Sequence, residues 1–108
     1  MVEKKISKKK LHDDCWDFDQ SCATWILPRL RYLKEHHGGY LVYSEKRGEK
    51  WSLNRTNEVW DQMIDAFELI LDSDKRDKLE EELGMFAVHD IVQNGCEKFG
   101  KYFQRLWI

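Results

Sequence analysis

The sequence lacks the features of a membrane or secreted protein. No apolar run approaches the ~18 residues that a membrane-spanning helix needs, and no apolar signal core follows the basic residues at the start of the chain. Cysteine is scarce, with three residues and no Cys-x-x-Cys pair. An odd number of unclustered cysteines predicts free thiols in a reducing compartment. We therefore expect a cytoplasmic protein with no membrane partner.

The sequence also lacks the motifs of common enzyme classes. Glycine occurs at six positions, and none of them belongs to a Gly-rich phosphate-binding loop. No serine, threonine or cysteine has a histidine and an acid at a spacing that is typical of nucleophilic catalysis. The histidines and cysteines match no known zinc-site spacing. The sequence therefore predicts no catalytic residue, no metal ligand and no cofactor.

Aromatic and charged residues are abundant instead. The 108 residues include five Trp, four Tyr and five Phe, and 42% of the chain is apolar. This composition is typical of a globular chain, and the length suits one domain. Because aromatic side chains bury large areas and recur at interfaces, their excess over the needs of one small core predicts a homo-oligomer.

Charge is distributed unevenly along the chain. Residues 1–10 hold five Lys and one Glu, a net charge of +4, whereas the whole chain carries −2, so −6 remains for the other 98 residues. An acidic body disfavours binding to a phosphate backbone, so nucleic acid is an unlikely partner. We predict a disordered basic tail over residues 1–11, whose contact with nucleic acid is the weaker alternative, and a single helical domain over residues 12–108.

The first half of the domain has one clear helical segment. Residues 20–37 show helical periodicity, with Asp19 as the predicted N-cap and a glycine pair as the predicted end. Pro28 interrupts this segment, and we expect it to kink or divide the helix. Residues 40–43 are of types that are common in β-strands, and apolar and polar residues alternate at the end of the segment 40–53. This pattern favours a short β-hairpin over residues 40–53. A loop without strand pairing is the alternative.

The middle of the chain has the clearest helical periodicity. A helix is predicted from Thr56 or Asn57 to about residue 72, because its apolar residues fall on one face. Another face carries a stripe of acids at helical spacing: Glu58, Asp61, Asp65, Glu68 and Asp72. Such a stripe is typical of a solvated face, but it also fits a basic protein partner or, less well, a carboxylate metal site.

The last third of the chain completes the predicted fold. Residues 75–83 are helix-prone, Gly84 is expected to break the helix, and apolar residues recur at helical spacing from residue 86 onwards. Gly95 lies on that apolar face, which predicts close contact with another helix. The sequence thus predicts a mainly α chain, a compact bundle of three to four helices with a short β-hairpin or loop insertion between the first two helices.

One arginine falls in the middle of an apolar helix face. A buried Arg29 would need a carboxylate, for which Asp17 and Asp19 are the nearest candidates, or the anionic group of a ligand. Exposure is the third alternative, since Pro28 can turn Arg29 outwards. Aromatic and charged residues near both chain ends form a candidate ligand- or partner-binding set: Trp16, Asp17, Asp19, Trp25, Arg29, Lys101, Tyr102 and Arg105.

An enzymatic alternative is a metal-dependent nucleotide hydrolase of an all-helical type. Such enzymes hold Mg²⁺ with an ExxE-type cluster and a later ExxD on facing helices. Here three consecutive glutamates at 80–82 precede Asp90, but Met85 and Ala87 occupy the positions where further acids are needed. If the chain used this chemistry, Asp61 and Asp65 would be the other candidate acids.

Several motifs resemble a group of small uncharacterised proteins encoded by bacteriophages and prophages. The similar segments are WDFD at 16–19, ATWILPRL at 23–30, WDQMIDAFE at 60–68 and GCEKFGKYFQRLW at 95–107. The chain departs from the group at Leu41, where the Gly-Tyr pair is usually followed by proline. The resemblance implies a phage gene that acts in the cytoplasm of a bacterial host. It therefore suggests a non-enzymatic binding protein, such as a counter-defence factor that inhibits a host protein or sequesters a nucleotide signal.

Overall fold

The computed structural model describes residues 5–108, which form five α-helices and a 3₁₀ turn, with no strand among them. The elements are α1 (Lys8–Trp16), α2 (Phe18–His36), α3 (Glu49–Leu71), α4 (Ser73–Leu83), α5 (Met85–Tyr102) and the 3₁₀ turn Phe103–Arg105. The prediction of a mainly helical chain is confirmed. The predicted number of three to four helices is wrong, because α1 is an additional helix.

Helix α1 lies partly within the predicted disordered tail. Residues 1–4 of that tail lie outside the described residues, whereas residues 8–11 form the first turn of α1. The helix begins here because the Ser7 hydroxyl accepts a 3.1 Å hydrogen bond from the Lys10 backbone N–H. A 2.7 Å ion pair joins Lys10 to Asp14 one turn later. Helix α1 buries no side chain, and among the described elements it packs on α2 alone.

Helix α2 is longer than predicted and is not divided by its proline. It begins at Phe18 and continues through Pro28 to His36. Pro28 has no N–H, so it cannot donate the usual hydrogen bond to the carbonyl of Thr24. At the end of the helix, the backbone N–H of His37 donates to the Leu33 carbonyl at 2.7 Å.

The predicted β-hairpin over residues 40–53 is wrong: the chain forms a loop without strand pairing up to Gly48, and residues 49–53 begin α3. Side chains of α3, rather than a second strand, satisfy the polar backbone groups of this loop. The Thr56 hydroxyl accepts from the Val42 N–H and donates to the Val42 carbonyl, both at 3.1 Å. The Ser52 hydroxyl accepts from the Ser44 N–H at 3.0 Å. These bonds hold Leu41 fully buried against the core.

Helix α3 begins earlier than predicted. It starts at Glu49 after Gly48, whose φ of 90° ends the preceding loop in a conformation that favours glycine. Thr56, a predicted N-cap, is therefore buried inside the helix, where its hydroxyl bonds the loop. The two alternating apolar residues of the predicted second strand, Trp51 and Leu53, belong to the first turns of α3, because two positions are too few to distinguish strand from helix periodicity.

Helix α3 is the centre of the fold. Helices α2 and α5 pack on it, and α4 packs on both α3 and α5. The core consists of buried side chains from α2, the loop and α3: Ala23, Leu27, Leu30, Leu41, Val59, Trp60, Met63 and Phe67. Gly84, with a φ of 90°, separates α4 from α5 as predicted. Gly95 lies against Ala66 of α3, which confirms the predicted close helix contact.

The molecule is flattened. Its principal extents are 52 × 47 × 19 Å, and its radius of gyration is 16.5 Å, compared with about 13 Å for a typical globular domain of this length. A flat arrangement buries less surface per residue than a sphere, so many large side chains stay exposed. Within residues 5–108, no helix combines the length and the apolar character needed to span a membrane.

Candidate functional site: an apolar groove along the second helix

A long apolar groove runs beside α2. It forms because α2 and α5 both pack on α3, while their backbones do not approach one another within residues 5–108. Two adjoining hollows of about 590 and 470 Å³ make up the groove. They share two side chains of α2 and two of the C-terminal segment: Trp25, Ile26, Phe99 and Phe103. We call this surface the α2 groove.

Large apolar side chains line the α2 groove and remain open to solvent. Trp25 is 62% exposed, Phe103 61% and Trp107 66%. Further apolar lining residues are Phe18, Tyr32, Leu33, Leu106 and Ile108. Side chains of this size bury most of their surface in a core or an interface. A contiguous exposed set of them is therefore typical of a surface that another molecule covers.

Arg29 lies at the rim of the α2 groove. Its guanidinium carbon stands 4.0 Å from the centroid of the Trp25 ring, and its Nη1 donates a 2.9 Å hydrogen bond to the Trp25 carbonyl. The predicted alternative of an internal pair with Asp17 or Asp19 is wrong, because neither acid contacts Arg29 within the described residues. Leu27 and Leu30 face the core instead, so α2 turns its Trp25 and Arg29 face to solvent.

Two polar side chains fix the C-terminal wall of the groove. The ring Nδ1 of His37 lies 2.7 Å from the Trp107 carbonyl oxygen, which can only accept, so Nδ1 carries the proton and donates. The Arg105 Nη1 donates a 3.0 Å hydrogen bond to the Leu41 carbonyl. The His37 ring also meets the buried Trp60 edge-on, with centroids 5.5 Å apart. The last residues are thus tied to the end of α2 and to the loop.

The predicted binding residues do not form one site. Trp25 and Arg29 line the α2 groove, whereas the other six predicted residues do not: Trp16, Asp17, Asp19, Lys101, Tyr102 and Arg105. Tyr102 packs against the core, and Arg105 bonds the loop. Lys101 lies over the Tyr102 ring at 5.4 Å. The predicted cationic and aromatic site for a planar anion is therefore not assembled within the described residues.

The acidic stripe of α3 is largely engaged within the chain. Three of its five acids form ion pairs: Glu58 with Arg55, Asp61 with Lys34, and Glu68 with Arg31 and Lys75. A fourth acid, Asp72, accepts a hydrogen bond from the backbone N–H of Lys75. Cations of α2 and α4 reach the stripe because both helices pack beside α3. The stripe consequently offers a basic partner less negative charge than the sequence indicates.

Two acids of the stripe have shifted pKa values in opposite directions. The hydrogen bond from Lys75, assisted by Arg31, lowers the pKa of the Glu68 carboxyl below its ordinary value. Partial burial raises the pKa of Asp65, although nearby Lys75 partly opposes this effect. The same face of α3 therefore holds one acid that the fold stabilises in its charged form and one that the fold destabilises.

The candidate acids of the alternative hydrolase do not converge. Asp61 pairs with Lys34, Asp65 lies one turn further along α3, and Asp90 is exposed on α5. No group of three or more His, Cys, Asp or Glu side chains within residues 5–108 is arranged to hold a metal ion. The candidate acids of the described residues therefore do not share a metal-binding geometry.

The three cysteines are free thiols, as the sequence predicts. Cys15 is exposed, whereas Cys22 and Cys96 are half-buried. Burial raises the pKa of the Cys96 thiol, which makes that thiol a poor nucleophile at neutral pH. Cys22 lines the α2 groove beside Phe18 and contributes a small apolar surface there.

Comparison with known proteins gives no relative. No family model matches the chain, no curated protein matches its sequence, and no solved structure matches its fold. The basis for a functional proposal is therefore the geometry and chemistry of its own residues.

Sequence reasoning missed most of the α2 groove. Phe103 belonged to the predicted apolar helix face and Trp107 to the segment that resembles phage proteins, and Tyr32 was assigned no role. A signal was present in α2, where Phe18, Trp25 and Tyr32 recur every seven residues. That period is typical of a helix that packs against another helix along one seam.

Proposed function

We propose that this chain is a non-enzymatic protein-binding module whose α2 groove receives an apolar helical segment of a partner protein. The observation that carries the proposal is the contiguous set of exposed aromatic side chains around Trp25, Phe103 and Trp107. Aromatic anchors in a groove between helices are typical of helix-in-groove recognition. The resemblance to phage proteins suggests the setting, in which the chain blocks a protein of its bacterial host and so counters a defence.

The chemistry of the groove favours a protein over a nucleotide signal. Among the groove-lining residues that the structure describes, Arg29 is the only cation. A nucleotide phosphate needs several converging donors, but Lys101 and Arg105 lie elsewhere. One stacked guanidinium at the rim of an apolar groove matches an amphipathic helix with an acidic residue beside its apolar face.

The alternative function of nucleotide hydrolysis has less support. It needs carboxylates that face a common point, whereas Asp61 is neutralised by Lys34 and Asp90 belongs to a different helix. An apolar groove does not supply the charged surroundings that phosphoryl chemistry uses.

Site-specific photocrosslinking in bacterial cells tests the proposed function. The photoreactive amino acid p-benzoylphenylalanine replaces Trp25 in the groove, and a control chain carries it in place of the exposed Asn54 on α3. We expect irradiation to join position 25, but not position 54, to a defined host protein. That protein, once purified, should bind the unmodified chain and lose affinity for Trp25→Asp. Equal crosslinking from both positions, or crosslinks to no protein other than the chain itself, would contradict a host partner in this groove.

A further inference from the structure

The exposed face of α2 has the spacing of a coiled-coil seam. Phe18, Cys22, Trp25, Arg29 and Tyr32 follow one another at alternating intervals of four and three residues. This alternation is the a/d pattern by which one helix packs along another. Trp25 and Phe18 lie in the groove, so the seam is continuous with the apolar wall formed by Phe103.

Charge is segregated along this seam. The end of α1 and the start of α2 carry four acids and no Lys or Arg after Lys10: Asp13, Asp14, Asp17 and Asp19. The second half of α2 carries Arg29, Arg31 and Lys34 and one acid, Glu35. Arg31 and Lys34 already contact acids of α3, whereas Arg29 contacts no carboxylate among residues 5–108. The seam therefore has acids near its start, of which Asp14 is already paired with Lys10, and one cation, Arg29, in its second half that no carboxylate of the described residues contacts. This makes the two ends of the seam complementary when a second copy is reversed.

The area of the molecule is large enough to supply such an interface. Its solvent-accessible surface is 8566 Å², whereas a folded monomer of 13.1 kDa exposes about 6,400 Å². The excess of about 2,200 Å² exceeds the ~800 Å² that each partner buries in a standard stable interface.

From these three observations, we propose that a second copy of this chain occupies the α2 groove. The two α2 helices run antiparallel about a twofold axis near Trp25, so that Arg29 of each copy meets the acidic start of α2 in the other. This proposal rests on the proposed function, because both require that the α2 groove binds a protein. A twofold arrangement uses the same surface on both copies and therefore closes as a dimer. A host protein bound in the groove would replace one subunit.

The first experiment measures the mass of the full chain in solution. We expect twice the 13.1 kDa chain mass at tens of micromolar in sedimentation equilibrium. Trp25→Asp should weaken the dimer at least about a hundredfold, because a large aromatic anchor is lost on both sides of the axis. The matched control is Phe86→Asp, since Phe86 is an even more exposed aromatic residue outside the groove. A monomeric wild-type chain, or a dimer that Phe86→Asp disrupts and Trp25→Asp does not, would overturn the proposal.

The second experiment tests the antiparallel direction by exchanging charges. Arg29→Glu alone should weaken the dimer about tenfold, because it places like charges together twice in a symmetric pair. Asp17→Lys with Asp19→Lys should also weaken it. The combination of all three should restore most of the affinity, since each acid and base has exchanged places. Failure of the combined variant to recover, with its helical circular dichroism unchanged, would rule out the proposed arrangement.

The two proposals fail in different ways. If the chain is monomeric but position 25 crosslinks to a host protein, the second-copy proposal is wrong and the proposed function stands. If the chain forms the charge-exchangeable dimer and position 25 crosslinks only to itself, the dimer stands and the host partner in this groove is wrong. Helical circular dichroism serves as the folding control for every variant in both experiments, and it should match that of the wild type.

Discussion

Gly95 of α5 lies so close to Ala66 of α3 that a β-carbon at position 95 would overlap the β-carbon of Ala66 and the backbone carbonyl of Gln62. We predict that Gly95→Ala destabilises the fold. Forcing the two helices apart costs about 1–3 kcal/mol, which outweighs the ~1 kcal/mol by which alanine favours a helix. Chemical denaturation should show a net loss of free energy of unfolding.

The control for this prediction is Gly100→Ala in the same helix. Apart from its chain neighbours and the backbone of its own helix, nothing lies within 4 Å of a β-carbon placed at position 100. This change should therefore raise the free energy of unfolding by about 0.5–1 kcal/mol. If both changes shift the midpoint in the same direction, the close approach of α3 and α5 is not the constraint at position 95.

Thr56→Val should loosen the loop between α2 and α3. The change keeps the shape of the buried side chain but removes the hydroxyl that bonds both the N–H and the carbonyl of Val42. Leaving such buried groups without partners costs about 1–3 kcal/mol. We expect a lower thermal midpoint and faster amide hydrogen exchange at Val42.

Thr24→Val is the matched control, because the Thr24 hydroxyl bonds only the Gln20 carbonyl on the exposed side of α2. That exchange should alter stability by no more than about 0.5 kcal/mol. Equal losses from the two threonines would show that the hydroxyl of Thr56 has no special role in holding the loop.

Glu68→Gln should destabilise the protein at neutral pH but not in acid. Its pKa is lower in the folded state than the ordinary 4.5, because Lys75 and Arg31 favour the charged carboxyl. The stabilisation is therefore complete above pH 4.5 and is lost as the pH falls through the lowered pKa. The pair is partly exposed, so we expect a loss of about 0.5–1 kcal/mol at pH 7. Unfolding curves over this pH range provide the measurement.

Asp65→Asn is the contrasting change on the same helix face and should act in the opposite direction. The folded state raises the pKa of Asp65 above 3.8, so the penalty on its charge develops as the pH rises above that value. Removing the charge should increase stability at pH 7, by less than about 0.5 kcal/mol because the group is largely hydrated. A loss of stability at pH 7 would mean that Asp65 has a favourable partner.

Arg105→Met should separate a structural role from a ligand-binding one. The change keeps the apolar part of the side chain and removes the hydrogen bond to the Leu41 carbonyl. We expect a loss of about 1–2 kcal/mol in unfolding free energy. Lys101→Met, at an exposed position near the end of α5, should leave stability within about 0.5 kcal/mol. If Arg105→Met melts like the wild type, Arg105 is available for a ligand.

The sequence predicted those elements that have a long periodic pattern or a glycine signal. The break at Gly84 and the close contact at Gly95 are examples, because glycine at those positions has a direct steric meaning. The loop before α3 was mistaken for a hairpin because its backbone partners are the hydroxyls of Ser52 and Thr56. Hydrogen bonds from side chains to a distant loop leave no periodic trace in a sequence.

The site was harder to predict than the fold, because periodicity identifies an apolar face but not what covers it. Trp25 belongs to an apolar stripe whichever way α2 turns, yet only the packing of Leu27 and Leu30 on α3 shows that Trp25 points outwards. The partners of the acidic stripe could not be predicted for the same reason. Arg31 and Lys34 pair with it from α2, which is distant from the stripe in sequence.

Helix α1 has a consequence for how the protein moves. It has nine residues, fewer than an isolated helix needs to persist in water, and it buries none of them. Its opening should therefore need little free energy and should not disturb the core, so that it behaves as the least protected foldon of the molecule. Its amides should exchange quickly in the free chain and slow down when the neighbouring groove is covered. The exchange rate of the α1 amides would thus report, in the native protein, whether the groove is covered.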